Sequence, residues 1–274
     1  MKLPIIFPAL CSILFSFASN VSALQTNSST RAAGINIEGD NASDALNLMA
    51  EVSITTKDKF TLSADYYEGS PRSDGFLLLH GCQSDRQSLT PIAKLLAEQG
   101  HHVLSMDLRG YGKSTSEQYS HANIKRNTKD IINYQQRMAQ LMAYWEEDVL
   151  AGYEHLATKL AKENNISILS VGCAARYAVS TAEQLYVANM ALLSPDMDYA
   201  TKERYKNLRD IASFFISSVH HVQSYQTAKE LFEWNGHDRS TMLLYKGNYA
   251  GNHLLRRNKS LAIDIAHWLS ERAK

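Results

Sequence analysis

The chain has no net charge to speak of. Its 28 Lys and Arg are matched by 28 Asp and Glu over 274 residues. That balance excludes a phosphate-tracking nucleic-acid binder or a protein held to an anionic membrane surface by charge. Beyond its first two dozen residues it also lacks any apolar run near the roughly 18 residues that a spanning helix needs. Cysteine is scarce, with three in the whole chain. No residue cluster suggests a metal or a cofactor, so none is expected.

With 45% hydrophobic residues, a chain of this length can bury one large core. The N-terminus stands apart. Lys2 precedes the apolar run Leu3 to Ala18, and Val21-Ser22-Ala23 offers small residues of the kind a signal peptidase reads. Residues 1–23 are therefore expected to be a signal peptide cut after Ala23, and the mature chain to be exported, periplasmic or secreted. Residues 24–50, rich in Asn, Ser, Thr, Ala and Gly without periodicity, read as a flexible leader, and 51–274 as the folded domain. Cys11 falls in the signal, which leaves Cys82 and Cys173.

Within the domain, strand and helix patterns alternate. Glu51 to Thr56 and Phe60 to Tyr67 read as antiparallel strands around a Lys57-Asp58 turn. Phe76 to Leu79 is a continuous apolar run, as in a strand covered on both faces. Leu89, Ile92, Leu95 and Leu96 stripe a helix that ends before Gly100. Trp145, Val149, Tyr153, Leu156 and Leu160 predict a long packed helix over roughly 143–163. Further strands are read near 168–171, 187–193, 214–219 and 241–245, with helices near 175–185, 225–234 and around Leu261, Ile265 and Trp268. This alternation implies an α/β fold, a mostly parallel sheet with helices on both faces. About 17 residues separate Pro195 from Ala212, too few for a large cap domain. The site is thus expected in an open crevice at the carboxyl ends of the strands. Residues 115–144 have no assigned structure and could drape over it.

Several segments in order resemble the α/β-hydrolase superfamily of serine esterases, lipases and aminopeptidases. Phe76 to Gly81 is similar to its third strand and His-Gly oxyanion loop. Val103 to Ser114 carries a D-x-R-G-x-G-x-S turn, Ala191 to Pro195 resembles the sixth strand, and Gly247 to His253 resembles the loop bearing the catalytic histidine. The resemblance covers about residues 50–272 and implies a nucleophile, a base and an orienting acid.

Laid on Ile168 to Tyr177, the family's G-x-S-x-G elbow puts Gly172 at its first glycine, Ala174 at the nucleophile and Arg176 at its second glycine. His253 falls at the base. His221 falls where the family carries its acid, with Asp196 or Asp198 as substitutes and a solvated turn as their ordinary role. The oxyanion-loop positions become Cys82 and Ala175. An alanine cannot attack a carbonyl, so the resemblance implies a catalytically degenerate hydrolase. Such a pseudoenzyme would bind a small-molecule or acyl ligand, or a protein partner, in the former crevice. The alternative is an active ester or peptide hydrolase using Cys173 with His253. The family's third and fifth strands are neighbours, so Cys82 and Cys173 are a disulfide candidate, against two buried free thiols.

Overall fold

The computed structural model describes residues 49–272, so the expected signal peptide and all but the end of the leader lie outside the described residues. Eight strands form one sheet in the order β1-β2-β4-β3-β5-β6-β7-β8. β1 (Met49–Thr55) and β2 (Thr61–Tyr67) make an antiparallel hairpin, and β2 runs antiparallel to β4 (His102–Met106). From there the sheet is parallel through β3 (Gly75–Leu79), β5 (Ile166–Val171), β6 (Asn189–Leu193), β7 (Ala212–Ser218) and β8 (Ser240–Tyr245).

The apolar runs that cannot show a period are the ones buried on both faces. Along β3, Leu77 and Leu79 point to one core, while Phe76 and Leu78 point to the other. The first core packs under α4 (Trp145–Ala157), α5 (Ala175–Gln184) and α7 (Val222–Asn235). The second packs under α1 (Thr90–Glu98), α8 (Gly251–Arg257) and α9 (Leu261–Glu271). Trp145, Val149 and Leu156 are all fully buried, as a helical stripe facing a sheet should be. This is the α/β-hydrolase fold without a large cap. Between β6 and β7 there is only α6 (Tyr199–Tyr205) and a short 3-10 turn.

Residues 115–144 fold into α2 (His121–Asn127) and α3 (Ile131–Met142). They line a separate groove of about 510 Å³ between α3, α5 and α6, and none of them lines the crevice at the strand ends. The D-x-R-G-x-G-x-S turn after β4 is structural. Asp107 accepts hydrogen bonds from the backbone N–H of Arg86 (2.9 Å) and of Lys113 (2.9 Å), and it pairs with the Arg86 guanidinium. Gly112 has φ +48, and a Cβ there would run into the Asp107 carboxylate at 2.1 Å. Arg109 is fully buried, paired with Asp148 at 2.7 Å and Asp58 at 2.5 Å, with its guanidinium over the rings of Phe60 and Tyr144.

Candidate active site

β5 ends at Val171, and the chain reverses into α5 through a 3-10 turn over Gly172–Ala174. The sharp turn falls on Gly172, at φ +55. A residue held left-handed between a buried strand and a helix presents its side chain away from both, which is how a nucleophile elbow works. A Cβ added at Gly172 would meet nothing within 4 Å, so that direction is open space. The small flanks such a turn requires are Ser170 and Ala174, both completely buried.

The register expected from the sequence places Ala174 at this position, and the geometry of the two residues differs. Ala174 adopts ordinary right-handed geometry (φ −72, ψ −14) and sits in the core beneath α5, with no face on the crevice. Ala175 is buried with it and lines no part of the crevice, whereas Cys173, next to Gly172, does. Arg176 is not a disturbed flank. It lies on α5, pairs loosely with Asp198 at 3.7 Å and lines the groove of α3 and α6. By residue type Gly172 matches the first glycine of the motif, whereas in the fold it forms the turn itself.

Facing the turn is the loop after β3. Gly81 comes so close to β5 that a Cβ there would stand 3.2 Å from the Val171 carbonyl oxygen. His80, fully buried, accepts the Leu108 N–H on Nε2 (3.0 Å), so its proton sits on Nδ1, donated to the Gly81 carbonyl at 2.9 Å. Burial pushes its pKa down and keeps it neutral, which suits a structural role. The Tyr111 hydroxyl donates to the Cys82 carbonyl at 2.6 Å, tying this loop to the turn after β4. Cys82 and Cys173 are joined in a disulfide, with Cα atoms 6.0 Å apart and a sequence separation of 91. The expected pairing is present, and Cys173 therefore has no free thiol with which to act beside His253.

The other two expected residues reach the same crevice. His253 lies in the first turn of α8, a helix where the sequence suggested a loop, and is exposed. Its Nδ1 faces the guanidinium of Arg256 at 3.3 Å. Arginine has no acceptor, so this contact puts the imidazole proton on Nε2, the nitrogen that would have to be free in a general base. His221 follows β7 at the head of α7, with Nδ1 2.8 Å from the Ser224 hydroxyl, which in turn lies 2.8 Å from the Ser217 hydroxyl. That chain of hydroxyls gives no negative charge. Asp196 also lines the crevice, where its carboxylate accepts from the Gln223 amide at 2.6 Å. Asp198 caps α6 through the Thr201 N–H at 2.8 Å and lies outside the crevice.

Two participants carried no signal in the sequence. Ser194, at the end of β6, is buried with φ +51, and its hydroxyl accepts the Gly251 N–H at 2.9 Å. It anchors the start of the helix bearing His253. A serine before a proline gives no hint of left-handed backbone. Arg256 is the other, one arginine among several until α8 turns it beside His253.

Together these loops enclose a crevice of about 540 Å³, lined by Gly172, both cysteines, His221, His253, Arg256 and Asp196, with amides from Gln223, Asn248 and Asn252. Among the described residues no group of His, Cys, Asp or Glu is placed to hold a metal ion, and no helix is long and apolar enough to cross a membrane.

No curated protein sequence matches the chain. Among solved structures it is similar to an esterase from Pyrococcus furiosus, at 14% identity and TM-score 0.62 over 87% of this chain and 96% of that one. It is also similar to a dienelactone hydrolase from Anabaena variabilis, at 12% identity and TM-score 0.55 over 82% and 96%. An esterase from Exiguobacterium antarcticum aligns at 10% identity and TM-score 0.56 over 80% and 99%. At such identities the likeness shows the fold. The profile described as serine aminopeptidase, S33, matches residues 72–249, and the chain belongs to that family of α/β-hydrolases.

Proposed function

We propose that this protein is a hydrolase-fold binding protein that has lost serine-triad catalysis, with Gly172 at the attacking position, His253 at the base and His221 at the acid. The observation that carries the reading is Gly172, a left-handed residue at the end of β5 with open crevice where a nucleophile's side chain would stand. Glycine has no lone pair to attack and no proton to surrender. The contacts of the other two positions support it. Arg256 favours the wrong imidazole tautomer, and His221 brings hydroxyls instead of a carboxylate. What remains is a crevice of ligand size with Arg256 and two histidines against one carboxylate, Asp196, already engaged by Gln223. A small ligand with a negatively charged or strongly polar end is the occupant this chemistry favours.

The test is a serine-reactive fluorophosphonate probe together with a panel of short p-nitrophenyl esters. The expected result is no labelling and no saturable turnover. Stoichiometric labelling of any serine, with turnover abolished by it, overturns the reading. The signal-peptide pattern supports export as a further part of the proposal, and N-terminal sequencing of exported protein should then begin at Leu24. Protein retained with Met1 intact would refute that part.

A further inference from the structure

We propose that the Cys82–Cys173 disulfide is an exchange site, at which a low-molecular-weight thiol admitted to the crevice reduces the protein and leaves as its own disulfide. The bond does not merely staple the interior, because both cysteines line the crevice and Cys82 is the more exposed of the two. The residue beside Cys173 is Gly172, whose absent side chain leaves open space in the crevice that both cysteines line. A sulfur nucleophile can occupy that space.

The two sulfurs differ in a way that sets direction. Cys173 lies in the turn that opens α5, a helix of 10 residues whose N-terminus has no side-chain cap. Uncapped N–H groups and the helix dipole stabilise a thiolate there. The charged and titratable groups facing the crevice are His221 before α7, the Tyr249 phenol, His253 and Arg256 on α8, and Asp196 after β6, which is already hydrogen-bonded to Gln223. Their balance favours an anion. Cys82 faces the same charges but sits in an irregular loop, with no helix N-terminus to stabilise a thiolate. The better leaving group is therefore Cys173, and attack falls on Cys82.

In the first step the thiolate sulfur of the small thiol bonds to Cys82 Sγ, the Cys82–Cys173 bond breaks, and the electron pair leaves on Cys173 Sγ. A second thiolate then attacks the small-thiol sulfur of that mixed disulfide, releasing the symmetrical disulfide and a Cys82 thiolate. The two thiol protons are taken up by the two cysteines or by solvent. Two thiols are oxidised and one protein disulfide is reduced, and the reverse reaction with the oxidised thiol restores it.

The experiment uses the full chain, folded, in low-millimolar reduced glutathione without denaturant. Samples are quenched in acid, capped with maleimide and mapped by peptide mass, which separates Cys82 and Cys173 from Cys11. Reduction with retained circular dichroism is expected, and it should run faster than the unfolding rate measured separately in urea. Cys173→Ser protein treated with oxidised glutathione should carry the adduct on Cys82. In Cys82→Ser protein the thiolate absorbance at 240 nm should rise with a midpoint at least one pH unit below the roughly 8.5 of free cysteine. Reduction only at the rate of unfolding overturns the proposal, and so does a Cys173 midpoint at or above about 8.5. The native reduction rate decides alone if the variants do not fold. The proposal draws on Gly172 for access, but ester turnover would refute the hydrolytically silent reading without altering the exchange result, and a buried, unreactive disulfide would refute this one alone.

Discussion

Gly172 and Ala174 make opposite demands on a serine. At Ala174 a hydroxyl would enter a packed core, where an unpaired polar group costs about 1–3 kcal/mol, so Ala174→Ser should lower stability and give no activity. At Gly172 a serine would project into open crevice, at the expense of about 1–2 kcal/mol of left-handed strain. Gly172→Ser alone should still be a poor enzyme, because His253 lacks an orienting carboxylate, a loss of on the order of 10⁴-fold in a serine protease triad. Adding His221→Asp and removing Arg256 should therefore raise p-nitrophenyl ester turnover by several orders over the single variant. Equal turnover in the two would show that His221 does not hold the acid position. Unchanged turnover after a further His253→Ala would remove His253 as the base.

Between elements, buried ion pairs hold the hairpin and the turn after β4 to the rest of the sheet. Arg109 bridges Asp58, just after β1, to Asp148 on α4, with no solvent access of its own. Removing one partner from such a pair leaves a buried charge, so Arg109→Ala should lose about 3–5 kcal/mol in urea unfolding. Loss below 1 kcal/mol would mean that water replaces the guanidinium. The carboxylates also set a pH signature. Burial pushes Asp148 up to about 6 against the pull of Arg109, so between roughly pH 4 and 6 the folded protein holds more protons than the unfolded one. Its share of stability therefore declines as pH rises through that window, and Asp148→Asn should flatten the slope there. Glu51 behaves oppositely. Hydrogen bonds from Lys113 and Ser63 bring it down to about 2, so its contribution is intact above about 4.5 and fades as the pH drops toward 2. Glu51→Gln should reduce the acid loss of stability in the same titration.

At the scale of the molecule, the disulfide closes a long loop across the sheet. With its ends 91 positions apart in sequence, loop-closure entropy alone predicts about 4–5 kcal/mol, and strain or residual unfolded structure reduces that. Replacing both cysteines with serine should lower unfolding free energy by about 2–5 kcal/mol while leaving the fold recognisable by circular dichroism. No change in urea midpoint would show that the link constrains nothing in the unfolded chain. The same variant should retain the crevice, since Gly81, His80 and Tyr111 hold the loop through contacts that do not involve sulfur.

Much of the architecture was legible because it depends on local pattern. The doubly buried runs at Phe76–Leu79 and Ile168–Val171, the stripe from Trp145 to Leu156 and the glycine stops dictate a parallel sheet flanked by helices, and no distant contact is needed to read them. The chemistry at His221, His253, Cys82 and Cys173 could be proposed from order along the chain, because the fold brings strand ends together in a set sequence. Register at the elbow could not. Motif matching weighs residue types, whereas the position that faces the crevice is decided by which residue turns left-handed, and that depends on how far β5 pairs with β3 and β6 before it stops at Val171. The tautomer of His253, the anchoring by Ser194 and the helical form of residues 251–257 are likewise tertiary. Each arises where two segments distant in sequence meet, and a one-dimensional pattern holds no record of that meeting.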